Sequence, residues 1–285
     1  MSSLATPAAA ASAGAGASAS ALPTAGAVSV SINGCGVPVT GAAGVDIARA
    51  TACVPFKDWV ARVHPSLSVS SVHITDVDYF GPRVGFVKFR ADVRKDGVAL
   101  PGVVFMRGGA VAILPVLLCG AERFVVCCRQ PRIPIGSADY LEIPAGMLDG
   151  EGNFTGVAAK EMREETGIEI GAHELVDLTA AAFGPGGASG ARGIYPSVGG
   201  CDEFLRIMYV ARECTPSDLN ALRGRATGNL AEGETITLDI LPLDSLWRVC
   251  SDAKTLAGLY LLDKLQAQGL VMAGPTGPPL STASG

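Results

Sequence analysis

Charge is scarce in this chain of 285 residues. Charged residues make up 17% of it, whereas about a quarter is usual in globular proteins, and the formal net charge is −5. There is no block of Lys or Arg, so a broad, non-specific interaction with nucleic acid or with an anionic membrane is not expected. The longest apolar run, near residues 110–120, contains Pro115 and is too short to span a bilayer. The sequence therefore predicts no nucleic-acid partner and no membrane span.

Basic residues are missing altogether from the first 40 positions of the chain. A secretory signal with a charged n-region therefore does not fit, and the arginines of an organelle transit peptide are lacking, although the segment is rich in Ser and poor in acids. The eight cysteines form no CxxC pair and no Cys/His cluster with zinc spacing, so we expect all of them to be reduced thiols. These observations predict a cytoplasmic protein, with a plastid or another organelle as the alternative.

Ala, Ser and Gly dominate residues 1–44, and the tail 273–285 is similarly simple. Such segments bury too little apolar surface to offset their ordering entropy, so both are predicted to be disordered. Between them, apolar residues at helical spacing predict helices over 46–63 and 243–270, and no regular βαβ rhythm is visible. This pattern predicts an α/β fold with a mixed sheet between helices. Alternating or β-branched runs predict strands near residues 72–80, 84–93, 103–118, 123–133, 140–146, 173–183, 204–213 and 235–243.

Acidic residues are concentrated in one stretch, GMLDGEGNFTGVAAKEMREETGI, residues 146–168. Its second half predicts a helix that begins at Thr155, which can cap it, and ends at Thr166 before Gly167. On that helix Glu161 and Glu165 lie about 40° apart around the axis. Two carboxylates about 6 Å apart in a cleft repel by roughly 3 kcal/mol.

This repulsion has two interpretations. Lys160 can pair with Glu164 one turn later, but Glu161 and Glu165 have no such neighbour in the sequence. A hard divalent cation offsets their repulsion, and Mg²⁺ commonly takes one or two carboxylates and completes its shell with water and substrate phosphate. The alternative is a solvated acidic helix face.

The same stretch resembles the Nudix box, whose pattern is G-x5-E-x7-R-E-U-x-E-E-x-G-U with U a bulky aliphatic residue. Lys160 stands where that family has Arg, and Gly152 stands where it has its first Glu, with Glu151 one position early. The resemblance implies a Nudix α/β/α sandwich with a mixed sheet over residues 109–272, preceded by an N-terminal β-rich subdomain over 45–108. The matching residues are Gly146, Glu161, Met162, Glu164, Glu165, Gly167 and Ile168.

Further stretches resemble the ADP-sugar and ADP-ribose pyrophosphatase branch of the Nudix hydrolases, and plant-type ADP-sugar diphosphatases in particular. This likeness implies Mg²⁺-dependent hydrolysis, with Mn²⁺ as a possible substitute, of ADP-glucose or ADP-ribose to AMP and a sugar phosphate. It also implies a homodimer in which the N-terminal subdomain takes part. The stretches are VGFVKF (84–89), RQPRIPIGSADYLEIPAGMLD (129–149), DLTAAAF (177–183), PSVGGCDE (196–203), NLAEGETITL (229–238) and LWRVCSDAK (246–254).

The resemblance also assigns roles to individual residues. It implies metal ligation by Glu161, Glu165, Glu234 and the backbone carbonyl of Ala145. Glu232 is the expected general base, and Glu164 is expected to support catalysis through Lys160 or a second metal ion.

Four more residues are implied in substrate binding. Arg132 and Arg107 are expected to hold phosphate oxygens, because a guanidinium keeps its charge and binds them in a bidentate manner. Glu142 and Glu203 are expected to contact the nucleotide or sugar, or to pair with these arginines. Two alternatives stay open: a catalytically weak Nudix module that binds nucleotide as a sensor, and a Nudix enzyme that acts on other nucleoside diphosphate derivatives.

Overall fold

The computed structural model describes residues 27–148, 153–184, 192–228 and 233–280. Within these ranges a six-stranded sheet and an eight-stranded sheet pack against helices. The first sheet contains β1 (Val28–Ile32), β2 (Cys35–Gly41), β3 (Ser68–Phe80), β4 (Arg83–Lys95), β5 (Val98–Leu100) and β6 (Val103–Met106). The second contains β7 (Gly109–Cys119), β8 (Glu122–Arg132), β9 (Ser137–Glu142), β10 (Ala145–Met147), β11 (Val176–Asp177), β12 (Phe204–Glu213), β13 (Ala226–Thr227) and β14 (Ile236–Pro242). The helices are α1 (Ile47–Ala52), α2 (Val54–Arg62), α3 (Phe154–Thr166), α4 (Leu178–Phe183), α5 (Pro216–Leu222), α6 (Leu243–Val249) and α7 (Ala253–Ala267).

The six-stranded sheet forms the N-terminal β-rich subdomain. Its strands have the order β1-β2-β3-β4-β5, and β6 also pairs with β4. Helices α1 and α2 cover one face of the sheet, where the rings of Phe56 and Phe89 meet edge to face with centroids 5.8 Å apart. Such aromatic contacts add to the burial of apolar area that holds helix and sheet together.

Two strands of this sheet differ from the expectation for residues 1–44. Strands β1 and β2 form a hairpin there, and β2 continues the sheet by pairing in parallel with β3. Val37 and Val39 alternate with exposed neighbours and are almost fully buried, at 2% and 0% exposure. The average composition of the segment concealed this short period-2 pattern, which is typical of a half-buried strand.

The helix predicted over residues 46–63 is divided into α1 and α2. Cys53 lies between them in an extended conformation, with φ −67° and ψ 151°. Pro55 lies in the first turn of α2, where its missing N–H costs nothing, but it could not donate to a carbonyl of α1. The proline therefore ends one helix and begins the next.

The eight-stranded sheet is the centre of an α/β/α sandwich, as the resemblance implied. Its order is β11-β12-β7-β8-β14-β13, with β10 on β7 and β9 on β8, and β12 runs parallel to β7 while the other pairs are antiparallel. Residues of α3 and α5 pack on one face, and residues of α4, α6 and α7 pack on the other. Strand β7 is central and is buried along nearly its whole length.

Three further boundaries depart from the sequence predictions. The strand predicted over 103–118 is divided at Gly108, with φ 79°, so that β6 and β7 belong to different sheets. The strand predicted over 173–183 is mostly helix α4, because the Asp177 side chain accepts a hydrogen bond from the Ala180 N–H at 2.7 Å and caps it. The helix predicted over 243–270 is divided into α6 and α7, and Asp252 caps the second.

The acidic helix itself is close to its prediction. It ends at Thr166, and Gly167 adopts the left-handed conformation, with φ 70°. It begins at Phe154, and its cap is the Asn153 side chain, which accepts from the Gly156 N–H at 3.0 Å, rather than Thr155.

Two predictions of absence can be compared with the described part of the chain. None of its helices is both long and apolar enough to cross a membrane. All eight cysteines lie within it, and every one is a free thiol.

Candidate active site

Strand β10 and helix α3 bring the two predicted metal-binding glutamates to one place. β10 pairs with the start of β7, and α3 packs against both strands. The Glu165 side chain is almost fully buried, and its Oε2 accepts the Ala145 N–H at 3.0 Å. A Cβ atom on Gly146 would lie only 2.0 Å from Oε1 of Glu161, so this carboxylate rests directly on the glycine backbone. Both carboxylates therefore converge on Ala145 and Gly146 rather than on open solvent.

The electrostatics of this pair are those of a buried site. The pKa of Glu165 is raised to about 8, first because the carboxyl is buried and second because Glu161 is close. The Ala145 N–H and the Arg132 guanidinium act in the opposite direction. Burial without a compensating cation thus disfavours the ionised form of Glu165.

The donor set fits a hard divalent cation. It consists of two carboxylates and the backbone of a short strand, and Mg²⁺ binds oxygen ligands of this kind. Among the described residues, no group of three or more His, Cys, Asp or Glu side chains forms a metal-binding cluster. The predicted base Glu232 lies outside the described residues.

Glu234 lies just before β14, whose partner strand β13 contacts the same turn of α3. It is half-buried, and its backbone lies beside Gly228. In the adjoining strand β13, the Thr227 hydroxyl donates to the backbone carbonyl of Glu165 at 2.5 Å. This bond joins strand β13 to the residue that the Ala145 N–H contacts.

Glu164 lies on another side of α3. Its Oε2 is 3.5 Å from Nζ of Lys160, which is the i,i+4 pair that the sequence predicted. Its side chain is 35% exposed, whereas Glu165 is buried. Glu164 thus does not share the position of Glu161 and Glu165 beside β10.

A second set of charges borders Glu165. Glu142 is 1% exposed, and its carboxylate accepts from Nε of Arg132 at 2.6 Å and from Nζ of Lys254 at 2.7 Å. Lys254 also donates to Asp252 at 2.9 Å. Burial by itself would lower the pKa of Lys254, but Glu142 and Asp252 outweigh it and the pKa is raised. The Lys254 ammonium therefore stays charged beside the Glu142 carboxylate.

This network changes the expected role of Glu142. Its carboxylate already has two cationic partners, which leaves Arg132, with a side chain 39% exposed, as the member turned toward solvent. We did not predict Lys254, although it lies at the end of the LWRVCSDAK stretch that carried part of the resemblance. The sequence does show Lys254 two positions after Asp252, but it does not show that Lys254 also contacts the distant Glu142.

Arg107 and Glu203 are paired with each other at a different place. The Nε of Arg107 lies 3.4 Å from Oε1 of Glu203, but it is buried and makes no hydrogen bond of good geometry there. The backbone N–H groups of Arg107 and Gly108 donate to Oδ1 of Asp202 at 2.8 and 3.2 Å. The structure thus places these two predicted substrate contacts where the chain passes from the first sheet to the second.

A cavity of about 590 Å³ opens beside this crossing. Its walls come from α2, from β4 to β6, from the start of β7, and from Phe154 and the segment 192–204. Two polar contacts join its walls: Arg62 Nη2 donates to the Tyr195 hydroxyl at 3.1 Å, and Arg192 pairs with Asp58. Most of the remaining lining is apolar or aromatic.

The cavity and the glutamate pair share α3 and the β7–β10 region. Phe154, the first residue of α3, lines the cavity, and Glu161 follows it by seven positions, or about 10 Å along the helix. Leu148 also lines the cavity and is bonded to the carbonyl of Gly109, two residues after the Gly146 backbone that meets Glu161. The cavity thus lies at one end of α3 and the carboxylates lie nearer the other.

The chain is similar to known proteins in both sequence and fold. A family model described as NUDIX domain matches residues 106–257. The chain is 37% identical over 249 residues to Nudix hydrolase 14, chloroplastic, of Arabidopsis thaliana, an alignment that covers 82% of this chain and 79% of the relative. It is also 37% identical over 82 residues to an uncharacterized Nudix hydrolase of Schizosaccharomyces pombe, covering 29% of this chain and 38% of that protein.

Among solved structures, the fold is similar to a crystal structure of an ADP compounds hydrolase. The TM-score is 0.50 at 16% sequence identity, and the match covers 74% of this chain and all of the other. A likeness at this level of identity concerns the fold alone.

Proposed function

The chain belongs to the NUDIX family of hydrolases, and from this premise we propose that it cleaves the diphosphate bond of ADP-sugars to give AMP and a sugar phosphate. The observation that carries the proposal is the convergence of Glu161 and Glu165 on the backbone of Ala145 and Gly146. Nudix hydrolases generally use divalent metal ions, and these residues offer the oxygen ligands that such ions take. We propose Mg²⁺ as the ion here, with Mn²⁺ as a substitute.

In this proposal Glu161, Glu165, Glu234 and the carbonyl of Ala145 would hold the metal. When bound, a divalent ion neutralises the negative charge of the diphosphate and lowers the pKa of a bound water molecule. Glu232 accepts the proton of the water that attacks phosphorus, as a general base. Glu164 supports the site through its ion pair with Lys160.

Arg132 has the position and chemistry of a phosphate-binding residue. Its guanidinium is held by the buried Glu142 through Nε, and it lies near Glu165. A guanidinium that is fixed on one side loses less conformational entropy when it binds an anion on the other. We therefore propose that Glu142 and Lys254 position Arg132, and that Arg132 holds one of the two phosphates.

The cavity beside the crossing between the two sheets is the proposed site for the sugar or the nucleoside end of the substrate. It adjoins α3 about two helical turns from Glu161, and its lining includes the rings of Trp59, Phe154 and Tyr195. Apolar and aromatic walls with a few polar groups are typical of sites for small organic ligands. Arg107 and Glu203 lie beside its wall and are the proposed polar contacts to the sugar or nucleotide.

The experiment is a panel of ADP-glucose, ADP-ribose and other nucleoside diphosphate derivatives, each incubated with the full chain and Mg²⁺ or Mn²⁺ and assayed for AMP or the corresponding nucleotide. We expect metal-dependent AMP release from ADP-sugars. If nucleotide is released only from substrates that lack adenine, ADP-sugars are not the substrate class. Binding of ADP-ribose without AMP release would identify a nucleotide sensor instead.

The Arabidopsis relative is described as chloroplastic, and we extend the proposal to a plastid location for this chain. A fluorescent fusion to the full chain tests this directly. Fluorescence that stays in the cytosol would contradict the plastid proposal and agree with the cytoplasmic expectation from composition.

A further inference from the structure

Two cysteines end neighbouring strands of the eight-stranded sheet. Strands β7 and β12 run parallel, with Leu118 opposite Glu213 as their last registered pair. The Cys214 N–H donates to the Leu118 carbonyl at 3.0 Å. In a parallel ladder this bond places Cys214 opposite the residue after Leu118, which is Cys119.

The side chains of Cys119 and Cys214 lie on the same face of the sheet. Both pack against the core cluster that α3 and α5 cover, and Cys119 is close enough to raise the pKa of Cys214. Neighbouring strands are roughly 4.7–4.9 Å apart, and a disulfide needs a Cα–Cα distance of roughly 4.4–6.8 Å. The backbone is therefore already placed for a bond between the two sulfur atoms.

We propose that Cys119 and Cys214 are a modification site: a dithiol that a low-molecular-weight disulfide, such as oxidised glutathione, converts reversibly into an intramolecular disulfide. Both residues are partly exposed, so a small oxidant can reach them. This site is independent of the proposed hydrolase activity.

The chemistry proceeds by two thiol–disulfide exchanges. Burial and the neighbouring Cys119 raise the pKa of Cys214 to about 12, which disfavours Cys214 as the first nucleophile. In the first exchange the Cys119 sulfur loses its proton and attacks one sulfur of oxidised glutathione, the glutathione S–S bond breaks, and one glutathione thiolate leaves. Cys214 then loses its proton and attacks the Cys119 sulfur of the mixed disulfide, which releases the second glutathione. Two protein thiols are oxidised, one glutathione disulfide is reduced, and the two protons end on the released thiols.

The other cysteines provide internal controls. Cys127, Cys128 and Cys250 are buried, at 0%, 0% and 3% exposure, which keeps an oxidant away from them. Burial also raises the pKa of Cys127 and Cys128, so that neither forms thiolate readily. Cys35 is exposed, on strand β2 of the other sheet.

The position of the pair predicts what the bond does. β7 has 11 residues, so Cys119 lies about 33 Å from Gly109 at the opposite end, near which β10 and the glutamates lie. The bond closes a loop of 95 positions (214 − 119) between two central strands. Such a loop constrains the unfolded chain strongly and the folded site hardly at all.

The test uses the full chain, treated with oxidised glutathione and then digested without reduction for peptide mapping by mass spectrometry. We expect a linked peptide pair that contains Cys119 and Cys214, and a fall in titratable thiols from eight to six (8 − 2). We expect the unfolding temperature to rise by about 5 °C or more, and dithiothreitol to reverse the shift. Cys119→Ser and Cys214→Ser should each abolish the link and the shift, while Cys35→Ser should retain both.

Three outcomes would overturn the proposal: survival of all eight thiols after the treatment, linked peptides that contain other cysteines, or a thermal shift that persists in Cys119→Ser. Because the first two outcomes are read on the natural chain, they do not depend on how well a serine variant folds.

Discussion

Gly146 is the residue whose lack of a side chain does most for the site. Its φ is not in the left-handed region, so the requirement is space and not backbone strain: a Cβ would lie 2.0 Å from Oε1 and 2.1 Å from Cδ of Glu161. The carboxylate of Glu161 can therefore approach β10 only because position 146 carries no side chain. This physical reason accounts for the glycine that opens the Nudix box.

The first prediction concerns Gly146→Ala. The added methyl group must displace the Glu161 carboxylate. We therefore expect metal-dependent turnover to fall by about tenfold to a hundredfold, which is the usual effect of removing a group that orients a metal ligand. The rise in unfolding temperature on addition of Mg²⁺ should shrink as well. The matched control is Gly274→Ala, because a Cβ there meets no atom within 4 Å. Equal turnover in the two variants would contradict the close approach.

The second prediction concerns Lys254→Met. This change removes one cationic partner of Glu142, whose side chain is 2% exposed, and leaves a carboxylate buried with only Arg132. Loss of one partner of a buried ion pair typically costs roughly 3–5 kcal/mol in the free energy of unfolding. Urea unfolding measures this, with Lys264→Met as the control, since Lys264 makes its ion pair, with Asp263, on the surface. A stability loss no larger than that of Lys264→Met would contradict a stabilising contact between Lys254 and Glu142.

At the scale of elements, the acidic helix was predicted well because its signals are local. The apolar residues Ala158 and Met162 face the core, and Gly167 ends the helix, all within one short stretch. Its start was misplaced by one residue because Asn and Thr are both common capping residues, and the sequence does not show that the Asn153 side chain accepts the Gly156 N–H.

Other elements were missed because a distant or subtle contact decides them. The stretch 173–183 has the apolar content of a strand, but the cap at Asp177 and the hydrogen bond from the Ile207 N–H to the Thr179 hydroxyl hold it as a helix against β12. The pairing of β2 with β3, and of Glu142 with Lys254, 112 positions apart, lies between segments far apart in the sequence. Sequence reasoning therefore predicted the glutamate pair, which is local, and missed the network that supports it.

The third prediction concerns the cavity between α2 and the segment 192–204. Gly199 lines it, and a Cβ on Gly199 meets no atom within 4 Å, so Gly199→Leu should fold normally while its side chain fills part of the space. If the cavity receives one end of the substrate, KM for ADP-sugars should rise severalfold and kcat should change little, because only binding is affected. Gly274→Leu, outside the cavity, is the matched control. An unchanged KM would place the substrate elsewhere.

At the scale of the whole molecule, the two sheets are joined by specific polar contacts. The Phe105 N–H donates to the Gly200 carbonyl at 2.8 Å. Arg192, in the segment that precedes β12, pairs with Asp58 of α2. These contacts lie around the cavity, so the N-terminal subdomain forms one wall of the proposed substrate site. The subdomain is therefore expected to matter for substrate binding as well as for assembly.

The fourth prediction is a homodimer formed through the N-terminal subdomain. The subdomain exposes several large apolar side chains to solvent, including Val98 and Val103 at 64% and 56% exposure and Phe80 at 41%. Burial of some of these side chains against a second copy would stabilise the pair through the hydrophobic effect. Light scattering coupled to size-exclusion chromatography should give twice the chain mass of 29.0 kDa. Val103→Asp should shift it toward the monomer, and a natural chain that elutes as a monomer would refute the dimer.

The central claim is that Glu161 and Glu165 bind a divalent ion that the hydrolysis of ADP-sugars requires. The most direct test is the rate of AMP release from ADP-glucose and ADP-ribose, measured against Mg²⁺ concentration for the natural chain and for Glu165→Gln. Glutamine keeps the shape of the side chain and can still accept the Ala145 N–H, so the fold and the unfolding temperature without metal should persist. We predict a loss of turnover of more than about a hundredfold, beyond the effect of losing a supporting contact; near-normal, Mg²⁺-dependent AMP release by the variant would contradict the claim.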